Sequence, residues 1–215
     1  MGGYKKYFIR AVQTNFPGQS EKIIASTDRH FSFISPSVSF AKTSGNPIDR
    51  RLDFSAYFLA LIKSLDEQGE AFETIRKTCL DAVLDYVRPK NKIQQVLKKL
   101  PAKLIDKRFA TYFLKLFHKK VSRNSNADGF IANIITDKKE TYGLGYGIDI
   151  IECGICKLFE KYNYRKYASI LCEVDAVTSN LAGLQLIRNG TIANGAKKCD
   201  FRFKKENSKN KTVST

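Results

Sequence analysis

Four cysteines in the last third of the chain have spacings that could serve chemistry. Cys153 and Cys156 form a Cys-x-x-Cys pair, and Cys172 and Cys199 follow singly. Four thiolates could bind zinc, but such sites usually combine two Cys-x-x-Cys pairs, which this chain lacks. A Cys-x-x-Cys at the start of a helix after a strand is also typical of a redox dithiol, although the rest of a thioredoxin pattern is missing. We therefore predict no metal site, and the redox pair is the still weaker of the two interpretations.

The segment around Cys172 places a thiol and a carboxylate on one face of a helix. Cys172 and Asp175 are three residues apart in a predicted helix from about Arg165 to Leu181, so both side chains point the same way. That face is otherwise apolar, and a carboxylate buried there without a partner would be costly. We expect Asp175 to meet a cation, a hydrogen-bond donor or a ligand.

The last predicted strand separates two kinds of side chain. Alternation places Cys199, Phe201 and Phe203 on one face, and Asp200 and Arg202 on the other. One interpretation is a plain surface Asp–Arg pair over a core cysteine. The other is a reactive thiol among phenylalanines, with Arg202 across the sheet holding an anion.

Only two apolar faces in this part of the chain carry reactive groups, namely the helix face with Cys172 and Asp175 and the strand face with Cys199. We therefore predict that these three residues converge on one cavity. By contrast, Cys79 falls on the apolar stripe of an earlier helix, where a free cysteine behaves as a small buried hydrophobe.

The hydrophobic period changes once along the chain, which predicts the elements that hold these residues. Residues 52–123 have helical periodicity, including one helix opened by Pro101 whose stripe of Leu104, Phe109 and Tyr112 should pack inward. After residue 124 the period becomes two, typical of strands, with two intervening helices. The fold class predicted is α+β, a helical N-terminal half packed on a C-terminal antiparallel sheet with two helices.

The chain divides into four predicted regions. Residues 1–51 are an N-terminal segment of one short element followed by loop, 52–123 are helical, 124–206 are α+β, and 207–215 are a flexible tail. The glycines at 143, 145 and 147 form Gly-x-Gly-x-Gly, but they lie within or between strands with no helix at the proper offset. We therefore predict no nucleotide cofactor.

The charge of the chain is uneven. Residues 88–123 contain twelve Lys or Arg against one acid, so this basic block accounts for +11 of a net charge of +16. Its lysines alternate with an apolar stripe, as on the solvated face of a packed helix, so nucleic acid is not an expected partner. No run approaches the roughly 18 apolar residues of a membrane span. We expect a cytoplasmic protein that acts on a small molecule.

An ordered set of residues in the C-terminal region resembles the L-2-amino-thiazoline-4-carboxylic acid hydrolase family. The set is Cys153 after a strand, Cys172-x-x-Asp175, Arg188-x-x-Thr191, and Cys199-Asp200-Phe201-Arg202 after a glycine. The hairpin with a glycine before a Cys-x-Phe-x strand also faintly resembles vinyl-reductase-like ligand-binding folds.

The first resemblance implies hydrolysis of a carbon–nitrogen or carbon–sulfur bond in a small cyclic amidine-like amino-acid derivative. Asp175 would then be the base or the partner of the amidine, and Cys172 or Cys199 the nucleophile. Arg188 or Arg202 would anchor the substrate carboxylate. Cys153, Thr191 and Asp200 complete the implied substrate site. The second resemblance implies a non-catalytic small-molecule-binding or regulatory module.

Overall fold

The chain has a helical N-terminal half and a C-terminal antiparallel sheet with two helices, which confirms the predicted α+β class. The computed structural model describes residues 3–123 and 125–205, so the predicted tail lies outside the described residues. These form eight α-helices and four strands: α1 Lys5–Asn15, α2 Ser20–Ile34, α3 Arg51–Asp66, α4 Phe72–Val87, α5 Lys92–Leu104, α6 Arg108–Val121, β1 Ile131–Ile135, β2 Gly147–Glu152, α7 Gly154–Lys161, α8 Ala168–Leu181, β3 Leu184–Ile187 and β4 Cys199–Lys205.

Helix α3 is the centre of the core. It packs against α2, α4 and α7, and Phe58, Leu61 and Leu65 are fully buried. A helix that is apolar on most of its circumference must be covered on several sides, and the helices around α3 provide that cover. Cys79 in α4 is fully buried in the same core, which confirms its predicted role as a core residue.

The N-terminal segment is more regular than predicted. Two α-helices and two 3-10 helices, Ser35–Lys42 and Pro47–Arg50, occupy most of it, so the expectation of one short element followed by loop was wrong. Phe8, Ala11 and Val12 of α1 are buried at helical spacing, a signal present in the sequence. Prolines near the start of each 3-10 helix are compatible with a first helical turn, where no N–H is needed.

The sheet has the strand order β1-β2-β4-β3, and all neighbouring strands are antiparallel. Strands β1 and β2 form one hairpin and β3 and β4 a second, and residues 136–146 join β1 to β2. Gly143 and Gly145 have φ of 81° and 69° in this loop, where glycine avoids the strain of a left-handed backbone. Gly147 begins β2, so the glycine triplet forms a turn and a strand start.

The basic block differs from the prediction in two ways. Pro101 lies inside α5, which ends at Leu104, and a separate helix α6 begins after Lys107, whose backbone is extended. The predicted inward stripe is also wrong, because Leu104, Phe109 and Tyr112 are 38%, 54% and 62% exposed. Ala110 and Leu114 are buried and face the protein instead. No helix within residues 3–123 and 125–205 is long and apolar enough to cross a membrane.

Candidate active site

A cavity of about 400 Å³ lies where α3, α4 and α8 meet the sheet. Its walls are mostly apolar, with Phe54 from α3, Val83 and Tyr86 from α4, and Leu171 from α8 among the lining residues. A concave, largely apolar site with a few polar groups is the usual form of a small-molecule pocket. The reactive groups in the lining are Cys153, Cys156, Cys172, Asp175 and Cys199.

Three elements deliver these groups to the cavity. Cys172 and Asp175 come from one face of α8, and Cys199 is the first residue of β4, opposite Ile150 of β2. Cys153 follows β2 directly and Cys156 lies in the first turn of α7. The structure therefore brings Cys172, Asp175 and Cys199 to one cavity, as the face argument predicted. Their chemical roles remain predictions.

Asp175 is held by Arg188 from the connection after β3. The Arg188 guanidinium donates to Asp175 Oδ2 at 2.8 Å and to the Cys172 carbonyl at 3.1 Å, and it lies 5.1 Å from the Phe201 ring centroid. Burial raises the pKa of the Asp175 carboxyl above its usual range, and the positive charges of Arg51 and Arg188 only partly offset this effect. Asp175 is therefore a paired carboxylate with more basic character than an exposed aspartate.

The thiols of Cys172 and Cys199 favour their neutral form. Burial, together with the nearby Asp175 charge, raises the pKa of Cys172 to about 12. Burial also raises the pKa of Cys199, although the Ile192 N–H donates to its sulfur at 3.2 Å and opposes the shift. Since the thiolate is the nucleophilic form, neither residue carries a preformed nucleophile at neutral pH.

Cys153 and Cys156 influence each other at the start of α7. Their thiol–thiol hydrogen bond lowers the pKa of Cys156, with help from the Arg165 charge, and together with burial raises the pKa of Cys153. Cys156 was outside the family-like set of residues, so sequence reasoning missed its place in the cavity. The Cys-x-x-Cys spacing was the available signal. No group of three or more His, Cys, Asp or Glu in the described ranges is arranged to hold a metal ion.

Thr191 and Asp200 organise the connection between β3 and β4. Thr191 is buried, and its hydroxyl accepts from the Asn194 N–H at 3.2 Å, which stabilises the turn that presents Ile192 to Cys199. Asp200 accepts from the N–H groups of Asn189 and Gly190, both at 3.0 Å. Burial by itself would raise the pKa of Asp200, but these hydrogen bonds outweigh burial and lower that pKa. Neither Thr191 nor Asp200 lines the cavity.

Arg202 also lies outside the cavity lining, on the opposite face of β4 from Cys199. It donates to Asp149 Oδ1 at 2.8 Å, and Lys198 donates to Asp149 Oδ2 at 2.6 Å. The surface pair with Asp200, one of the two interpretations of this strand, is therefore not formed. Asp149 and Asp200 are direct cross-strand partners, so like charges would face each other. The two cations neutralise Asp149, while Asp200 turns to the backbone N–H groups.

Arg50 and Arg51 line the cavity from the start of α3, and both are exposed. The charge of Arg51 lowers the pKa of Asp175 against the effect of burial, so this guanidinium is within electrostatic reach of the carboxylate. Cations at a helix N-terminus oppose the helix dipole. Two adjacent arginines at that position are therefore a signal of function that sequence reasoning overlooked.

Comparisons with known proteins agree with the resemblance in the C-terminal region and extend it. The family model for L-2-amino-thiazoline-4-carboxylic acid hydrolase matches residues 50–203, which include the helical wall of the cavity as well as the sheet. Because this match covers most of the chain, the chain belongs to that family. No curated protein and no solved structure matches it.

Proposed function

We propose that this member of the L-2-amino-thiazoline-4-carboxylic acid hydrolase family hydrolyses a cyclic amidine that carries a carboxylate, with the ring bound beside Asp175. The observation that carries the proposal is a half-buried carboxylate at the wall of a largely apolar cavity. A protonated amidine is planar and cationic, so a carboxylate is its natural partner. The apolar surroundings strengthen that attraction by excluding water.

The reaction that we propose is addition of water to the amidine carbon. In a 2-aminothiazoline this carbon is bonded to the ring sulfur, the ring nitrogen and the exocyclic nitrogen. As the water oxygen bonds to carbon, its proton passes to the base. Cleavage of the carbon–sulfur bond then gives a carbamoyl nitrogen and a free thiol, whereas cleavage of the ring carbon–nitrogen bond gives a carbamoyl sulfur and a free amine. In either case the departing atom takes the proton back from the base, and the added hydroxyl becomes the carbonyl by releasing its own proton to solvent, which balances the extra proton of the amidinium.

Asp175 is the group that we assign as the base. Its raised pKa makes the carboxylate a better proton acceptor than an exposed aspartate. Arg188 donates to Oδ2, and no donor to Oδ1 is found among the described residues. Arg188 would therefore orient the carboxylate and leave its second oxygen for the substrate or the water.

Because the thiols of Cys172 and Cys199 are protonated, attack by water is favoured over attack by either cysteine sulfur. The raised pKa values of Cys172 and Cys199 keep both residues protonated, so they would contact the ring as weak hydrogen-bond donors. Cys156 has the lowered pKa and remains the alternative nucleophile. A thiol nucleophile would form a covalent thiouronium-type intermediate that water must then release.

We assign Arg51, instead of Arg188 or Arg202, as the anchor for the substrate carboxylate. Arg188 is already paired with Asp175, and Arg202 is paired with Asp149 outside the cavity. Arg51 lines the cavity and makes no ion pair within the described part of the chain. A guanidinium in this position could bind a carboxylate through two parallel hydrogen bonds.

The cavity is larger than aminothiazoline carboxylate, the compound for which the family is named. At water's share of roughly 30 Å³ for each non-hydrogen atom, the nine such atoms of aminothiazoline carboxylate would fill at most about 270 Å³, against a cavity of about 400 Å³. Phe54, Val83 and Tyr86 are among the apolar residues that line the cavity. We infer that an apolar substituent on the ring would be accepted and would improve binding.

The test is turnover of L-2-aminothiazoline-4-carboxylate and of an analogue with an apolar ring substituent. Free thiol and primary amine are assayed separately, since they report the two possible bond cleavages. Asp175→Asn should lower kcat by about 10²–10⁴-fold. Glu173→Gln is the matched control, because Glu173 lies on the same helix but pairs with Arg76 at the surface. Saturable binding of these compounds without product would instead favour a ligand-binding module.

A further inference from the structure

Helices α5 and α6 present an apolar surface to solvent that no other part of the described chain covers. Nine large apolar side chains on these two helices are between 38% and 71% exposed, and together we call them the α5–α6 apolar face: Ile93, Val96, Leu97, Leu100, Leu104, Phe109, Tyr112, Phe113 and Leu116. Exposed single hydrophobic residues are ordinary, but a stripe of several along one helix is more than that and is typical of an interaction site.

These exposed residues form a second apolar side of each helix, separate from the side that packs on the protein. Ile93, Leu97, Leu100 and Leu104 follow one another at three or four residues, and the α6 residues repeat the pattern, so each helix carries one continuous stripe. The inward sides of both helices are already filled, for example by Ala102 in α5 and by Ala110 and Leu114 in α6. Each helix therefore has one side for the protein and a second apolar side for a partner.

The segment that carries this face is strongly positive. Residues 88–123 carry a net charge of +11, and Lys103, Lys115 and Lys119 are exposed and make no ion pair with any described residue. Lysines beside leucines and aromatic residues are typical of helices that lie in a membrane interface, with the apolar side in the acyl region and the cations at lipid phosphates. The positive charge and the apolar area therefore both fit the surface of an anionic membrane.

We propose that the α5–α6 apolar face docks on the surface of a bilayer that contains anionic phospholipids. The two helices would lie in the plane of the interface, with Phe113 and Leu97 inserted between headgroups. This proposal is independent of the hydrolase activity.

Two other occupants fit the charges or the side chains less well. A second copy of the chain would bring its own +11 block towards the first, and like charges oppose such an interface. Single-stranded nucleic acid would suit the lysines and the aromatic residues. However, six of the nine residues are aliphatic, with no planar ring on which a base could stack.

Vesicle sedimentation tests the proposal with the full chain. The protein should bind vesicles of phosphatidylcholine mixed with phosphatidylserine, bind vesicles of phosphatidylcholine alone much more weakly, and lose affinity as salt is raised. Phe113→Glu should weaken binding by about tenfold or more, since burial of a phenylalanine side chain is lost and a negative charge is added. Circular dichroism checks that this exposed substitution leaves the helices folded.

Phe33→Glu is the matched control. Phe33 in α2 is 70% exposed, close to the 63% of Phe113, but it lies outside the α5–α6 apolar face, so its substitution should leave vesicle binding within about twofold. Failure of the unmodified protein to bind anionic vesicles would overturn the proposal, as would equal binding by Phe113→Glu. A dimer in solution that Phe113→Glu dissociates would assign the face to a second copy, and preferential binding of an oligonucleotide would assign it to nucleic acid.

Discussion

Replacement of Arg188 by methionine tests whether the buried ion pair controls Asp175. Methionine keeps most of the apolar length of the side chain, so the change removes mainly the charge and its hydrogen bonds. Arg188 Nη1 and Asp175 Oδ2 are 2.8 Å apart, and the two side chains are 16% and 22% exposed. The pair is thus neither a surface pair, for which about 0–1 kcal/mol is typical, nor fully buried, for which loss of one partner costs about 3–5 kcal/mol.

The expected loss of unfolding free energy for Arg188→Met is about 3 kcal/mol at pH 7, which includes the lost contact of the guanidinium with Phe201. In a chain of this size, a loss of that magnitude corresponds to a melting temperature lower by roughly 6–12 °C. Urea unfolding measures the free energy directly. The double variant Arg188→Met with Asp175→Asn should regain most of it, since no unpaired charge is left.

The pH dependence gives a second measure of the same pair. Because burial raises the folded-state pKa of Asp175, its contribution to stability is greatest below the unfolded pKa of about 3.9 and is lost as pH rises through the folded pKa. Removal of Arg188 raises that pKa further. The cost of Arg188→Met should therefore be small near pH 4 and grow towards pH 7.

Arg10→Met provides the control for loss of an arginine ion pair at the surface. Arg10 pairs with Asp85 at 2.7 Å, but its side chain is 64% exposed, so the substitution should cost about 1 kcal/mol or less at every pH. The assigned role of the Arg188–Asp175 pair is wrong if the single and double variants of Arg188 are equally destabilised, or if the cost of Arg188→Met is the same at pH 4 and pH 7.

Two further predictions concern the cavity. The acid limb of kcat/KM against pH should have an apparent pKa above that of an ordinary aspartate, because burial raises the pKa of Asp175; a limb at the ordinary value would contradict its role as base. Arg51→Met should weaken binding of a carboxylate ligand by at least about tenfold, whereas Arg202→Lys should leave the affinity unchanged and only lower thermal stability, as calorimetry would show.

The elements of the C-terminal part could be predicted because their patterns are local. A change of period from helical to alternating identified the sheet, and the helix with Cys172 and Asp175 followed from spacing alone. The N-terminal helices and the break between α5 and α6 were missed. Prolines near the ends of these helices interrupt the pattern, and packing against other helices is what stabilises them.

The outward direction of the α5 and α6 stripes could not be predicted either. An apolar stripe at helical spacing is the same pattern whether it meets a core or a partner. Only the positions of the other elements show that Ala102, Ala110 and Leu114 fill the inner side.

The sequence by itself determined which side chains share a face, since the periods of helices and strands are properties of the local backbone. That was sufficient to group Cys172 with Asp175 and to separate Cys199 from Arg202. It could not determine which faces meet, because partners such as Arg188 for Asp175 and Asp149 for Arg202 are chosen by the packing of distant elements. The tertiary structure decided these partners, and with them the pKa of each group, because burial and neighbouring charge depend on everything that surrounds a side chain.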